Sequence, residues 1–550
     1  MTSPTTEAVT PYAARLSKRR IVLTTAAVIS GMFLAALDGT VVSTAMPTII
    51  GDLHGIDDYA WVFSAYLLAE IATIPLWGKF ADMYGRKRIF LAGMFIFLAG
   101  SALCGQSHSM TELIMFRAIQ GLGAGCLLPV AQTISADLFT LEQRVKVQAI
   151  YAAVFGFASI IGPLIGGFLT DSLSWRWVFY VNLPIGIAAA ILVKVVMVEP
   201  LEHRRKHRID WVGIVTLLGW TCLLVFALET GGRDYAWSSP LIIGSLVGAA
   251  ALLGAFIVTE RRASEPVVPL DLFRIPTLRA SAVLTVLLGM TMFGVLSFLP
   301  LFVQVVIGTD ATSAGRVLTP MMLGFMVSSA IGGRLLLRIG FRAQITLGCI
   351  IAMPGLFLLT LLDADSTTLE ISRDLVFVGL GLGMIVLACT LAAQNSVELK
   401  QMGTATGLVN FTRQLGGAIG VALAGSVMLT SLTHRLADAF PGSNVPAGDL
   451  LSPASSSKPL PAGAERIVQE AFAGALHQVF ITALVIGVIM CACVFLMPRG
   501  HAIALRDRSQ GHAPPPDAFA PDAEVYIAGE TPLELADEQL DLDEESSPVA

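Results

Sequence analysis

The sequence predicts an all-α membrane protein with fourteen transmembrane helices. Of its 550 residues, 55% are hydrophobic and only 14% are charged, the mean hydropathy is +0.73, and long apolar runs recur to about residue 497. A soluble domain usually has about a quarter charged residues, so this composition excludes a soluble chain. Each run is long enough to cross roughly 30 Å of hydrocarbon as a helix, which pairs its own backbone groups without water.

The individual spans follow from the apolar runs and the short polar loops that separate them. The first run is too long for a cleaved signal peptide and continues directly into an acidic loop, so we expect it to remain as the first span. The predicted helices are at 21–43, 58–78, 88–106, 111–135, 147–170, 177–198, 209–229, 240–259, 279–307, 314–336, 343–362, 371–395, 404–432 and 474–497.

Basic residues predict the orientation of these helices. If the N-terminus is cytoplasmic, twenty-six of the 35 Lys and Arg residues fall on the cytoplasmic side and seven on the outer side. Cytoplasmic loops carry an excess of Lys and Arg, so this asymmetry favours a multi-pass membrane protein with both termini in the cytoplasm.

A repeated loop predicts the domain organisation. Gly78 is followed by Lys79, by a second glycine at 85 and by a cation at 87, and the segment from Gly333 to Arg342 repeats this spacing. Short basic turns also match by chance, but internal repeats are common in transporters, which place the substrate site between the repeats. The predicted units are a cytoplasmic segment 1–20, an N-terminal six-helix bundle 21–198, a linker with two extra helices 199–278, a C-terminal six-helix bundle 279–497 with an outer loop 433–473, and an acidic tail 498–550.

The tail dominates the net charge but predicts no chemistry. The net charge is −6, and residues 509–550 hold eleven acidic residues and no Lys or Arg, so the membrane part is mildly basic. With few large apolar residues the tail is expected to be disordered. The seven cysteines all lie in apolar runs and are interpreted as packing residues, so we expect no metal and no cofactor.

Ionisable residues inside a span are costly and are candidates for function. Asp38 and Arg117 are at similar depth and are predicted to pair, which suits a proton-exchanging carboxylate but also a static ion pair. Glu70 is a candidate second proton or cation site, or else a wall residue that never titrates. Arg413 lies near the centre of its helix and is a candidate to balance Glu70. The predicted cavity set is Glu70, Gln120, Asn410 and Arg413.

Two further motifs predict how helices approach and move. Asp82, surrounded by cations in the first loop, is predicted to hold one bundle against the other, with Gly78, Lys79, Gly85, Arg86 and Lys87 completing this latch. Glycines spaced by four residues allow a close helix approach, and a proline loosens the backbone ladder; packing alone also explains such glycines. The second motif is Gly156, Gly162, Pro163, Gly166 and Gly167.

Taken together, the motifs resemble those of a known family. The segments 37–47, 78–88, 117–125, 156–167 and 175–184 are similar to motifs of the drug:proton antiporters of the major facilitator superfamily, in the fourteen-span branch of EmrB/QacA-like multidrug exporters. The resemblance covers about residues 20–430. The acidic tail and the loop 433–473 match no motif of that family.

The resemblance implies a fold of two six-helix bundles plus two inserted helices, and export driven by protons. It implies Asp38 as the proton or cationic-drug site, with Arg117 as its partner. The expected partners are a drug-like, lipophilic and cationic small molecule, protons and the lipid bilayer, with no nucleic acid, and we expect a monomer. The alternative is a dedicated exporter of one endogenous product such as an antibiotic or a lipid. An enzyme is disfavoured, because we find no metal cluster and no nucleophile beside a base.

Overall fold

The protein is all-helical over the described part of the chain. The computed structural model describes residues 16–53, 59–198, 209–232, 235–308, 311–363, 365–439 and 464–499, and contains no β-strand within them. The predicted segment 1–20 and tail 498–550 therefore fall largely outside the described residues.

The helices begin and end close to the limits of the apolar runs. Polar side chains fix several starts: the Ser109 hydroxyl accepts the Glu112 N–H at 3.2 Å, and Glu370 accepts the Thr367 N–H at 2.8 Å. The helices are α1 Lys18–Leu53, α2 Tyr59–Tyr84, α3 Arg86–Gly105, α4 Met110–Leu138, α5 Leu141–Ser172, α6 Trp177–Tyr180, α7 Asn182–Val196, α8 Trp211–Thr230, α9 Pro240–Glu260, α10 Pro276–Leu301, α11 Ala311–Leu359, α12 Thr368–Asn395, α13 Met402–Ala439 and α14 Ala464–Cys493.

Twelve of the described helical segments are long and apolar enough to span a membrane. The predicted count of fourteen spans is therefore not confirmed. Two features account for the difference: α11 counts as one span although it has 49 residues and a non-helical residue at Gly340, and α5, with 32 residues, is not among the twelve.

Helical structure extends into both ends of the predicted outer loop 433–473. Helix α13 continues to Ala439 and α14 begins at Ala464. A helix satisfies its own backbone hydrogen bonds and can continue beyond the apolar run, and an exposed Arg466–Glu470 pair, with Nε and Oε1 3.1 Å apart, supports this extension. Residues 440–463 lie outside the described part.

The helices form two groups joined by a hairpin. Helices α1–α7 pack together and are called the first group, and α10–α14 pack together and are called the second group. The α8–α9 hairpin contacts both. Phe226 of α8 stacks on Trp61 of α2 with ring centroids 5.7 Å apart, and Trp220 meets Phe411 of α13 edge-on at 5.8 Å.

The repeated loop adopts the same backbone conformation in both copies. Gly85 has φ 94° and Gly340 has φ 80°, a region that favours glycine. The first glycine of each copy lies where the two groups touch. A β-carbon on Gly78 would be 2.5 Å from the carbonyl oxygen of Gly403, and one on Gly333 would overlap the Val145 side chain. These contacts, α2 with α13 and α11 with α5, close the seam between the groups on what we call the loop-motif side.

We expect alanine at Gly85 or at Gly340 to lower the free energy of unfolding by about 1–3 kcal/mol, because a β-carbon is strained at these angles. Thermal unfolding of the purified protein in detergent measures this loss. Gly156→Ala is the matched control, since a β-carbon there has nothing within 4 Å. Equal effects at all three positions would contradict this explanation.

Candidate functional site

A buried polar network surrounds Asp38 in the first group. Its carboxylate accepts hydrogen bonds from Arg117 Nη1 at 2.5 Å, from Gln120 Nε2 at 2.7 Å and from Asn182 Nδ2 at 3.1 Å. All four residues expose at most 1% of their surface. The structure thus brings together the predicted pair, and Gln120, predicted for the cavity, lies inside this network.

Arg117 is held on every side. Its Nε donates to the Val62 carbonyl at 3.3 Å, its Nη1 also donates to Gln120 Oε1 at 2.8 Å, and its guanidinium lies 4.1 Å from the ring centroid of Tyr66. A fully buried ion pair is tolerated only when such additional bonds satisfy both partners. The network holds the Asp38 and Arg117 side chains together in the interior of the first group.

Asn182 is a site residue that the sequence reasoning missed. Val181, between α6 and α7, keeps right-handed helical angles of φ −60° and ψ −26°, so the two helices form one continuous span over Trp177–Val196. Asn182 extends its side chain into the network from this span. Its Nδ2 also donates to Ser101 Oγ at 3.1 Å. The available signal was the motif over 175–184, in which an amide stands within an otherwise apolar run.

A second polar set lies at the seam. Asn410 Nδ2 of α13 donates to Gln132 Oε1 of α4 at 2.7 Å, and Arg413 Nη2 donates to Asn410 Oδ1 at 3.2 Å. Glu70 of α2 lies at a similar level of the contact between α2 and α13. The structure therefore groups three predicted cavity residues, Glu70, Asn410 and Arg413, and adds Gln132.

Tyr66 lies between the two sets. It is one helical turn before Glu70 on α2, and the Arg117 guanidinium lies 4.1 Å from its ring centroid. A change of charge at one set therefore affects the other over a short, poorly hydrated path.

Asp82 joins the two groups on the loop-motif side. Its carboxylate accepts the N–H groups of Gly403 at 2.9 Å and of Thr404 at 2.7 Å, near the start of α13, as well as the Thr404 hydroxyl at 2.9 Å. Arg86 Nη2 lies 3.3 Å from Asp82 Oδ1. The predicted cation cluster is therefore only part of the latch, because the carboxylate mainly binds backbone donors of the second group.

The other latch residues secure the first group itself. Arg86 Nε lies 2.9 Å from Asp137 Oδ2 of α4, and Lys87 Nζ donates to the carbonyl of Met197, just after α7. Gly85 makes the turn between α2 and α3. Lys79 lies one turn before Asp82 on α2.

The glycine motif of α5 faces α1. β-Carbons on Gly162 and Gly166 would overlap Thr40 and Thr44, whereas Gly156 and Gly167 have no such neighbour within 4 Å. The Thr40 hydroxyl also donates to the Ala158 carbonyl at 3.2 Å. Two of the predicted glycines thus permit close contact of α5 with α1, and the Pro163 side chain lies outside the described residues.

Comparison with known proteins agrees with this architecture. The family model described as Major Facilitator Superfamily matches residues 28–421, which include most of α1, all of α2–α12 and the first half of α13. The chain belongs to the Major Facilitator Superfamily. As a member of the Major Facilitator Superfamily, it is a multi-pass membrane transporter rather than an enzyme.

Two bacterial relatives within the superfamily are similar over most of their length. The chain is 41% identical over 427 residues to the multidrug transporter protein MdtP of Bacillus subtilis, covering 77% of each chain. It is 42% identical over 418 residues to multidrug resistance protein 3 of the same organism, covering 76% of this chain and 81% of the relative. A crystal structure of the human organic anion transporter MFSD10 matches 86% of this chain and 99% of its own, with a TM-score of 0.59 and 16% identity, which shows the shared fold alone.

For this member of the superfamily, we expect Asp82→Asn to weaken the latch between the groups by about 1–2 kcal/mol, because the carboxylate charge stabilises the start of α13. Such a change shifts the balance between closed and open states on the loop-motif side about 5- to 30-fold. A cysteine introduced by Gly407→Cys reports this balance: its rate of labelling by a thiol reagent added on the loop-motif side measures how often the two groups separate there. Asp137→Asn, which removes a bond within the first group, is the control; a larger effect from it would contradict the assignment.

Proposed function

We propose that the chain is a proton-driven exporter of lipophilic, cationic small molecules in a bacterial cell membrane. The observation that carries this proposal is the buried Asp38 carboxylate, bound by Arg117, Gln120 and Asn182. Two similar relatives are named as multidrug proteins, which supports drug-like cargo.

A proton on Asp38 changes the energy of the site in a definite way. The charged carboxylate balances Arg117, and protonation removes that balance and leaves a buried guanidinium without a counter-charge. The protonated and deprotonated protein therefore favour different arrangements of the helices around Arg117. Proton transfer at Asp38 can in this way select one conformation of the transporter over the other.

Exchange requires that proton and cargo oppose each other. A cationic molecule bound near Glu70 adds a positive charge close to Tyr66, Arg117 and Asp38, which disfavours a proton on Asp38. The proton enters from the outside and leaves to the cytoplasm, and the cation moves the other way. The membrane potential contributes about 2.3 kcal/mol per 100 mV for each net charge moved, so it drives the exchange only when more protons than cationic charges cross.

We further propose that the chain crosses the membrane fourteen times with both termini in the cytoplasm. Helix α11, at about 1.5 Å per residue, is over twice as long as the hydrocarbon is thick, so it supplies two crossings on either side of Gly340. Helix α5 supplies a further one. The two groups are then the two six-helix bundles, and α8–α9 is the inserted hairpin.

The loop-motif side then faces the cytoplasm. Contacts of Gly78 with Gly403 and of Gly333 with Val145, together with the Asp82 latch, hold the bundles together on that side. In this proposal, these contacts belong to a state that is closed to the cytoplasm. Transport requires that these contacts separate while the opposite side closes, so that the site between the bundles becomes accessible from alternate sides.

Transport by the native chain in proteoliposomes tests the proposed function. With an acidic lumen that contains DNA, ethidium is expected to accumulate as protons leave, and nigericin, which collapses the gradient, is expected to abolish the accumulation. Parallel assays with chemically unrelated cations distinguish a multidrug exporter from a dedicated one. Ethidium entry that ignores the gradient would contradict proton coupling.

A further inference from the structure

The Gln132–Asn410 hydrogen bond crosses the seam deep in the protein. The two residues belong to different groups, and Gln132 and Asn410 expose only 7% and 3% of their surface. Gln132 lies six residues before the end of α4, and Asn410 lies eight residues after the start of α13. At about 1.5 Å per residue, the bond is therefore about 9–12 Å inside the loop-motif end of these helices.

The neighbours of Asn410 fix the orientation of its amide. The Thr406 carbonyl, 3.0 Å from Nδ2, can only accept a hydrogen bond, and the Arg413 guanidinium, 3.2 Å from Oδ1, can only donate one. The amide nitrogen must therefore point toward Gln132 and the amide oxygen toward Arg413. Asn410 thus links Gln132 of the first group to the Arg413 guanidinium, one turn later on α13. The position of Gln132 therefore affects the position of this guanidinium.

Arg413 in turn acts on the first group. A cation at this depth requires a counter-charge. Glu70 of α2 lies at a similar level, because α2 and α13 run antiparallel and Gly407 packs against the Ile74 carbonyl, one turn after Glu70. Gln132 and Glu70 of the first group are therefore connected through two residues of the second group, Asn410 and Arg413. Separation of the groups on the loop-motif side breaks the hydrogen bond and releases Arg413 at the same time.

We propose that Gln132 is a positioning residue that holds Arg413 as a tethered counter-ion of Glu70, and that a lipophilic monovalent cation binds at Glu70 only when this tether is released. This proposal rests on the proposed function as a cation exporter, and extends it with the group that excludes the cargo in the closed state. Opening of the seam and access of the cation to Glu70 thereby become one event.

Equilibrium binding to the purified full-length chain tests the proposal. The probes are tetraphenylphosphonium, a cation, and triphenylphosphine oxide, which is neutral. Gln132→Leu removes the acceptor of the Asn410 amide, and Arg413→Gln removes the tethered charge. Each is expected to tighten tetraphenylphosphonium binding about 5- to 20-fold, and the double variant no more than Arg413→Gln alone. Binding of triphenylphosphine oxide should stay within about twofold of the native value.

Gln344→Leu is the matched control, because Gln344 is equally buried and donates to the Met384 carbonyl at 3.3 Å within the second group. It should leave both affinities unchanged. If Gln132→Leu does not yield folded protein, Gln132→Met makes the same deletion with a flexible side chain.

Three outcomes would overturn the proposal: equal shifts for the cation and the neutral probe, additive shifts in the double variant, or no tetraphenylphosphonium binding to any variant. The assay contains no proton gradient. A chain that binds as expected but does not accumulate ethidium would therefore refute the proposed function and leave the role of Gln132 standing.

Discussion

Asp38→Asn is expected to reduce gradient-driven ethidium accumulation in proteoliposomes to the level of liposomes without protein. Asparagine has the shape of aspartate and can still accept hydrogen bonds from Gln120 and Asn182, but it cannot exchange a proton. Binding of tetraphenylphosphonium to the variant shows whether the cargo site survives, so loss of coupling can be separated from loss of the fold.

The same helix offers a matched control. Asp52 lies at the end of α1, its side chain is 51% exposed, and it pairs with Arg176 at 3.1 Å. Asp52→Asn makes the identical chemical change outside the buried network and should keep near-native accumulation. Accumulation by Asp38→Asn equal to that of Asp52→Asn would remove Asp38 from the coupling step.

Arg117→Met is expected to destabilise the protein by about 3–5 kcal/mol, because it leaves a buried carboxylate without its counter-charge. Methionine preserves much of the side-chain volume, so the loss reports the charge more than a cavity. Thermal or denaturant unfolding in detergent measures the change in the free energy of unfolding.

The double variant Asp38→Asn/Arg117→Met should recover most of that stability, because neither charge remains in the interior. Lys87→Met, which removes an exterior cation bound to a carbonyl, is the control for the loss of one basic residue. A double variant whose loss equals the sum of the two single losses would show that the residues do not form an energetic pair.

The pairing of Asp38 with Arg117 could be predicted from the sequence, because depth along a membrane helix follows from residue count and charged residues in spans are few. Asn182 could not, because only the packing of α7 against α1 brings its amide to Asp38. The role of Gln132 could not be predicted either. An amide costs little free energy in a membrane span, so it does not stand out in the sequence, and its partner follows only from the packing of α4 against α13.

The fold also has features that the sequence predicts and features that it does not. The apolar runs predict most helices closely, since the bilayer leaves few alternatives to a helix. Helix ends outside the hydrocarbon are not constrained in this way, and therefore α13 and α14 extend into the predicted loop 433–473. The repeat of Gly78–Gly85 at Gly333–Gly340 predicted a shared role, and both copies place their first glycine at the seam and their second at a positive φ.

Proton release on cation binding tests the central claim most directly. Tetraphenylphosphonium is added to the purified chain in weakly buffered detergent solution, with a pH indicator recording protons released for each cation bound. The native chain is expected to release protons, because cation and proton oppose each other, and Asp38→Asn is expected to release none. Equal proton release by the two proteins would show that the exchanged proton resides elsewhere than on Asp38.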